Sequence, residues 1–324
     1  MGRKWLWLLG SGVSLLLWVP KTLQQGQADV QTAFYKGSKM CVICHRMRSS
    51  TRALVTGYVQ TAHAKAMQEA VTEGALVADF AAAPFPKERV AYAIGSGRTK
   101  QSYLTADFQV LSHRWNTVEK KWEEDPDAGA DARKQCLGCH VTGYNPQTQE
   151  FVQPGVGCES CHGPGSEHLK APTKDPEGRI VRPQKLEKAR QAMICGRCHS
   201  KGQDPSGTYA FPVGYQPGGD LTRFFVDAKP IAPGRNQQYS EMLREAKHLA
   251  AGTVCETCHD PHGNTQQPHQ LRQPINDLCL ECHQGDRAPS AIPEHEAQRV
   301  AKETCAGCHL PQGQHLFALV KGAK

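Results

Sequence analysis

Residues 155–168 read GVGCESCHGPGSEH, and the fold is decided by the five residues Cys158-Glu-Ser-Cys161-His162 within them. The same Cys-x-x-Cys-His spacing occurs seven times in the 324 residues and uses all 14 cysteines. Two thiols on one turn add to the two vinyl groups of one haem edge, while the adjacent imidazole binds the iron. The pattern therefore predicts seven covalently bound c-type haems.

Each motif supplies two attachment cysteines and one proximal iron ligand. The predicted attachment residues are Cys41, Cys44, Cys136, Cys139, Cys158, Cys161, Cys195, Cys198, Cys255, Cys258, Cys279, Cys282, Cys305 and Cys308. The predicted proximal ligands are His45, His140, His162, His199, His259, His283 and His309. In chain order, these groups are called motifs 1 to 7.

Zinc sites and disulfide bridges are the other common uses of paired cysteines. A zinc ion needs four ligands, and that need does not explain a histidine at the same offset in every motif. Adjacent Cys-x-x-Cys bridges are labile redox elements rather than structural staples. Haem attachment is therefore favoured over both alternatives.

The composition also indicates that haem fills much of the interior. Leu, Ile, Val and Phe together make up 59 of the 324 residues, about 18%, a level typical of weakly folding chains. The net charge of +7 is too small to indicate disorder. Two propionates on each haem would make the holoprotein acidic, and no basic motif interleaved with aromatic residues suggests a nucleic-acid partner.

Residues 1–28 have the layout of a secretory signal peptide. Arg3 and Lys4 precede an apolar run over 5–19, and Gly26-Gln27-Ala28 offers a cleavage site of small residues. An uncleaved anchor that associates the protein with a membrane is the alternative, although a run of this length is short for a bilayer. We therefore expect the mature chain in the periplasm or elsewhere outside the cytoplasm.

The coarse fold prediction is mainly α with little regular structure, a haem-dominated multihaem cytochrome c fold. Helices are predicted over 61–82, 185–195, 238–251 and 294–305, and a small β-hairpin around Gly95-Ser96-Gly97 is predicted between motifs 1 and 2. Motif gaps of 22 to 26 residues favour close contact of motifs 2 and 3, and of motifs 5 to 7.

The predicted domain organisation places two haem lobes after the signal peptide. Residues 202–236 are rich in Pro and Gly and have no regular period, as in an extended connection. The chain is therefore divided into a four-haem lobe over 29–205 and a three-haem lobe over 206–324.

Seven haems need up to seven further axial ligands, and eight histidines lie outside the motifs. These candidate distal ligands are His63, His113, His168, His248, His262, His269, His295 and His315. Bis-histidine ligation is therefore expected, and the scarcity of methionine ligands favours low reduction potentials. The alternative for each histidine is a surface or hydrogen-bonded imidazole.

Several stretches also resemble a known family. Gly37-Ser38-x-x-Cys41, Thr61-Ala62-His63-Ala64-x-Ala66 and the segment 155–168 resemble the cytochrome c-554 family of multihaem cytochromes, and the likeness covers most of 36–200. His248 and the segment 255–262 are similar to the paired haem-binding motif of larger multihaem cytochromes. The resemblance implies a mostly helical fold and periplasmic electron transfer. Tetrahaem members of the family have one haem without a protein sixth ligand, and this chain differs from them by three further motifs.

The function predicted from the sequence is electron transfer along closely packed haems between redox partner proteins. One rival is a multihaem oxidoreductase that acts on a small nitrogen or sulfur compound at one open haem, but no motif has lysine in place of its histidine. A second rival is an oligomer in which chains stack into a haem filament and His315 reaches a neighbouring subunit. The protein is therefore interpreted as a carrier in preference to a catalyst.

Overall fold

The computed structural model describes residues 33–171, 179–228, 236–245, 247–263, 267–289, 304–310 and 313–317. The predicted signal peptide, His295 and most of the predicted helix over 294–305 lie outside these residues. Among the described residues, no helix has the length and apolar character needed to cross a membrane.

The helices are short, and seven of the twelve in the described residues contain all or part of a haem-attachment motif. They are α1 (Ser38–His45), α2 (Ser49–Tyr58), α3 (Ala132–Gln135), α4 (Leu137–His140), α5 (Cys158–His162), α6 (Ser166–Leu169), α7 (Lys188–Gly196), α8 (Gln238–Glu245), α9 (Lys247–Ala250), α10 (Cys255–Cys258), α11 (Ile275–Leu280) and α12 (Cys305–His309). Single 3₁₀ turns lie at Phe80–Ala82, Lys87–Arg89, Pro183–Lys185, Leu221–Arg223, Pro268–Gln270 and Gly285–Arg287. The helices predicted over 185–195 and 238–251 are present, with boundaries shifted by a few residues and the second one divided between α8 and α9.

A five-stranded antiparallel sheet lies between motifs 1 and 2. Its strands follow chain order as β1 (Met67–Glu69), β2 (Tyr92–Ile94), β3 (Lys100–Leu104), β4 (His113–Asn116) and β5 (Lys121–Glu124). The predicted hairpin is the turn between β2 and β3, where Gly95 has a φ of +95° and a Cβ would lie 2.8 Å from the carbonyl oxygen of Lys100. The position of the predicted hairpin is therefore confirmed, but the hairpin is part of a larger, five-stranded sheet.

The helix predicted over 61–82 is wrong, because this segment contains β1 and the 3₁₀ turn at Phe80–Ala82. Met67 pairs with Ile94 across the sheet and is 1% exposed, against the segment of motif 2. Phe80 packs instead on the opposite aromatic cluster, with its ring centre 5.3 Å from that of Tyr103. The tertiary contacts of these apolar side chains override the helix propensity of the alanines between them.

Outside the five-stranded sheet, the described residues form two smaller β-ladders and a further apolar cluster. β6 (Val141–Thr142) pairs with β7 (Gln153–Pro154), and β8 (Gly202–Gln203) pairs with β9 (Val226–Asp227). Within the predicted connection over 202–236, Tyr215 and Phe225 are buried in a cluster that also contains Tyr239. The part of this connection that the structure describes is therefore packed rather than free.

Side chains from beyond residue 206 pack directly on the motifs that precede it. A Cβ at Gly138 would lie 2.1 Å from the ring of Phe211, and a Cβ at Gly196 would lie 2.6 Å from the ring of Tyr239. The described residues from Phe34 onward belong to one compact unit. The division into two lobes stays a prediction, and these two glycines allow the aromatic rings to approach the backbone of motifs 2 and 4.

Candidate haem-binding sites

Each motif lies on or directly next to a single helical turn. In motifs 2, 4, 5 and 6 the backbone N–H of the histidine donates to the carbonyl oxygen of the first cysteine at 2.9–3.1 Å. None of the 14 cysteines forms a disulfide. Two thiols and one imidazole are therefore held together on a short turn, as attachment to one haem edge requires.

Five motif histidines face a second histidine from a distant part of the chain. The pairs, with the distances between ring centres, are His45 and His168 at 6.2 Å, His162 and His262 at 6.2 Å, His199 and His63 at 6.0 Å, His259 and His315 at 6.1 Å, and His283 and His248 at 6.3 Å. In every pair, one ring belongs to a motif and the other is a candidate distal ligand. His262 thus faces the histidine of motif 3 and not that of motif 5, which lies three residues before it.

These separations fit an iron atom between two imidazoles. Two metal–nitrogen bonds of about 2 Å, together with the distance from each nitrogen to its ring centre, separate the ring centres by about 6 Å. The five observed values lie between 6.0 and 6.3 Å. The paired side chains therefore suit haem iron with two histidine ligands.

Hydrogen bonds to Nδ1 orient the motif imidazoles. The Nδ1 of His140 lies 3.0 Å from the carbonyl oxygen of Ala66, and that of His162 lies 2.9 Å from the carbonyl oxygen of Val181. The Nδ1 of His199 lies 3.1 Å from Oε1 of Gln238. Because Nδ1 donates in each case, Nε2 is left as the nitrogen that binds iron.

Burial keeps these imidazoles neutral, which is the form that binds a metal. It lowers the pKa of His140, His162 and His199 below the ordinary value. Burial, helped by the nearby His199, lowers the pKa of His63 to about 4. The site therefore favours the ligand form of histidine at neutral pH.

The remaining predicted ligands are arranged differently. Among the described residues, no second imidazole faces His140, and His295, the candidate ligand on the segment that leads to motif 7, lies outside them. His113 lies on β4 with Nδ1 3.0 Å from Ser112 Oγ, and His269 offers its carbonyl oxygen to Nδ1 of His259 at 2.9 Å. Among the described residues, neither the ring of His113 nor the ring of His269 pairs with the ring of a motif histidine, and His269 contacts His259 through its backbone. His315 faces His259 of the same chain, so the role considered for it in a neighbouring subunit loses its support.

Several buried polar residues support the motifs and were missed in the sequence. The carboxylate of Glu159, which is 0% exposed, accepts from the backbone N–H groups of Lys36, Gly37 and Gly165 at 2.7–3.0 Å. It thereby joins motif 3 to the turn that begins motif 1. Glu159 occupies a variable position between two motif cysteines, where no sequence periodicity indicates a partner.

Glu241 and Arg197 have similar supporting positions. Glu241, which is 3% exposed, accepts from the backbone N–H of His315 at 2.7 Å. Arg197 of motif 4 donates to the carbonyl oxygens of Ser160 in motif 3 and Gly138 in motif 2 at 3.1 and 3.3 Å. Only the tertiary structure brings these groups together.

The motifs lie close to one another in a defined order. Four pairs of thiols from different motifs lie close enough to interact: Cys41 and Cys158, Cys139 and Cys198, Cys195 and Cys255, and Cys279 and Cys305. The thiols of Cys161 and Cys198, and those of Cys258 and Cys282, also lie near enough to interact electrostatically. These sulfur atoms stand in for the thioether sulfurs of attached haems. Motif 1 thus adjoins motif 3 and motif 2 adjoins motif 4, neighbours that the sequence gaps did not predict.

Two family models match parts of the chain. Residues 100–163 match the model described as cytochrome c554 and c-prime. Residues 247–288 match the model described as a doubled CXXCH motif. Both matches contain haem-attachment motifs, and the first lies within the segment that resembles cytochrome c-554.

The relatives include three curated proteins. Multiheme cytochrome MtrA of Shewanella baltica is 25% identical over 53% of this chain and 59% of its own length. Cytochrome c-554 of Nitrosomonas europaea is 29% identical over 44% of each protein. Dissimilatory sulfite reductase MccA of Wolinella succinogenes is 26% identical over 49% of this chain and 22% of its own length. The chain therefore spans less than two thirds of the length of each of these relatives.

A solved structure shares the fold. The outer cell wall cytochrome OcwA superposes with a TM-score of 0.68 over 87% of this chain and 79% of its own, at 21% sequence identity. The motifs, their matches and the shared fold lead to one conclusion. The chain resembles the cytochrome c-554 family of multihaem c-type cytochromes, and its motifs and relatives support c-type haems as its cofactors.

Proposed function

We propose that the chain carries seven covalently bound c-type haems and passes electrons along them between redox partner proteins outside the cytoplasm. The five imidazole pairs, with ring centres 6.0–6.3 Å apart, are the observation that carries this proposal. Where two protein imidazoles fill both axial positions, iron exchanges electrons without binding a substrate. The bound haem supplies the one-electron chemistry, and the protein supplies attachment, orientation and electrostatics.

The axial ligands in this proposal follow from the ring pairs. The motif cysteines form the thioether links, and each motif histidine is the proximal ligand. The proposed second ligands are His168 for motif 1, His262 for motif 3, His63 for motif 4, His315 for motif 5 and His248 for motif 6. For motif 7, we propose His295 on the strength of its sequence position.

The contacts between motif thiols support a continuous route. Motif 1 adjoins motif 3, which adjoins motif 4, and the series continues through motifs 5, 6 and 7. Motif 2 adjoins motif 4 and lies to the side of this series. We therefore propose a route from motif 1 to motif 7 with motif 2 as a branch.

The proposed location and domain division rest on the sequence and on the relatives. Residues 1–28 have the layout of a signal peptide, and OcwA is named as an outer cell wall cytochrome. We keep the four-haem lobe over 29–205 and the three-haem lobe over 206–324 as a proposal, with motifs 4 and 5 at the junction.

The proposal is tested by counting haems and by following electrons. We expect the intact mass of the purified holoprotein to show seven haems. After substoichiometric one-electron reduction, rapid-freeze EPR should show the electrons already in their equilibrium distribution, because adjacent haems exchange them within the chain. A lower haem count would contradict the cofactor assignment. A connected route would be contradicted if some haems stayed oxidised although their reduction potentials are higher than those of haems already reduced.

One observation favours a second function, which is catalysis at motif 2. The Nδ1 of His140 is hydrogen-bonded to the carbonyl oxygen of Ala66. Within the part of the chain that the structure describes, no second imidazole faces the ring of His140. An iron ligated only by His140 would bind a small nitrogen or sulfur compound at its other face. The relative MccA is named as a dissimilatory sulfite reductase, although this chain covers 22% of it.

EPR of the oxidised protein and carbon monoxide binding after reduction distinguish the two functions. Catalysis at motif 2 requires one high-spin ferric signal and one haem whose optical spectrum changes with carbon monoxide. If every haem is low-spin and carbon monoxide has no effect, the protein is an electron carrier alone.

A further inference from the structure

Arg197 lies where three haem-attachment turns converge. It occupies the position between Gly196 and Cys198 in motif 4, and its two terminal nitrogens donate to the carbonyl oxygens of Ser160 at 3.1 Å and Gly138 at 3.3 Å. Ser160 lies between the cysteines of motif 3, and Gly138 lies between those of motif 2. One guanidinium therefore contacts the backbone of two attachment turns and belongs to a third.

The charge of this guanidinium is not neutralised by protein within the described residues. Its Nε is shielded from solvent and has no hydrogen-bond partner there, and no carboxylate in the same part of the chain forms an ion pair with Arg197. Glu159, the buried carboxylate of motif 3, uses its oxygens for three backbone N–H groups instead.

The titratable groups that interact with Arg197 carry no charge in the holoprotein at neutral pH. They are the sulfurs of Cys139, Cys161 and Cys198, which become thioethers when haem is attached, and the phenols of Tyr35 and Tyr215. A guanidinium remains protonated in proteins, so its positive charge is permanent. The groups that gain and lose charge beside it are then the three haems.

We propose that Arg197 raises the reduction potentials of the haems at motifs 2, 3 and 4 by holding a permanent positive charge between their attachment turns. When ferric iron takes up one electron, its charge falls by one, and a nearby cation stabilises the reduced state. No proton moves at Arg197, so the step is a one-electron transfer with no change in the side chain. The inference rests on the proposed function, since it requires haems at these motifs.

The simplest alternative is that Arg197 is a positioning residue, whose hydrogen bonds hold three attachment turns together without affecting the haem potentials. Two substitutions separate the alternatives. Arg197→Gln removes the charge and keeps an amide donor, whereas Arg197→Lys keeps the charge and loses the forked pair of donors. A purely structural residue would make both variants similar in potential and different from the wild type in stability.

The experiment is a spectroelectrochemical titration of the purified holoproteins, with haem content confirmed by intact mass. For Arg197→Gln, we expect at least one haem to become harder to reduce by about tenfold in its redox equilibrium constant, which is about 59 mV for one electron. For Arg197→Lys, we expect the wild-type potentials. The matched control is Arg190→Gln on α7, because Arg190 is paired with Asp220 at 3.3 Å and its side chain is 33% exposed.

Wild-type potentials in Arg197→Gln would overturn the inference, as would an equal shift in Arg197→Lys or in Arg190→Gln. If Arg197→Gln does not acquire its haems, the lysine variant alone decides, since lowered potentials there would exclude the effect of charge. Rapid-freeze EPR of the partly reduced wild type tests the proposed function separately. Failure of the wild-type haems to exchange electrons would reject that function whatever the variants show.

Discussion

His63 and His113 are both histidines outside the motifs, and their surroundings predict opposite effects of removal. The ring centre of His63 lies 6.0 Å from that of His199, whereas Nδ1 of His113 lies 3.0 Å from Ser112 Oγ on β4. We expect His63→Ala to leave one iron with a single imidazole, which adds one high-spin ferric haem that binds carbon monoxide. EPR and optical spectra measure this. His113→Ala is the control, and a wild-type spectrum in His63→Ala would reject the assigned ligand.

Glu159 is the second residue whose removal gives a specific expectation. In Glu159→Gln, an amide N–H₂ replaces one oxygen and faces backbone N–H donors, so we expect the protein to lose about 1–3 kcal/mol of unfolding free energy. Denaturant unfolding of the holoprotein measures the loss. Glu167→Gln, in which the altered group pairs with Lys170 at the surface, should change stability by less than about 0.5 kcal/mol. Equal losses in both variants would contradict the anchoring role.

At the scale of elements, the sheet is tied across three strands by one carboxylate. Glu123 on β5 accepts from Lys100 on β3 and from Nε of Arg114 on β4 at 2.6 Å. These hydrogen bonds, chiefly that from Lys100, lower the pKa of Glu123 to about 2. A lowered folded-state pKa contributes stability above the unfolded value of about 4.3, and this contribution disappears as the pH falls toward 2.

We therefore expect Glu123→Gln to destabilise the sheet by about 1 kcal/mol near neutral pH and to have no effect once the pH is below 2, where the carboxyl is protonated. Denaturant unfolding followed by far-UV circular dichroism across this pH range measures the difference. Glu124→Gln is the matched control, because Glu124 is the exposed neighbour on the same strand. A loss in Glu123→Gln that persists unchanged at low pH would show that the ion pairs are not its cause.

At the scale of the whole molecule, the sheet has an aromatic core of its own, whereas the other two apolar clusters contain or adjoin haem-attachment turns. Trp115 and Trp122 lie opposite each other with ring centres 5.5 Å apart, and both pack with Phe85 and Tyr103. Elsewhere the motif turns lie close to one another around the thiols. We expect limited proteolysis of haem-free protein to leave a fragment that contains residues 67–124, whereas the holoprotein resists along most of its length. Uniform digestion of the haem-free chain would contradict this.

The sequence predicts the local chemistry well and the long-range partners poorly. Each Cys-x-x-Cys-His motif is complete within five residues, so its role is readable without a fold. Long-range contacts, such as those of His162 with His262 and of Arg197 with Gly138, depend on how distant segments pack. A single sequence holds no signal for such packing. The helix predicted over 61–82 failed for the same reason, since cross-strand and aromatic contacts determine that segment.

The imidazole pairs also determine the order in which the molecule can be completed. A chain is synthesised from its N-terminus, so motif 1 emerges more than a hundred residues before His168, the residue that faces His45. Motif 3 is likewise synthesised before His262, the residue that faces His162. During biogenesis, the earliest sites are therefore half-finished while later ones are still being made. An iron bound at motif 1 or motif 3 during that stage would have one histidine ligand and one open face.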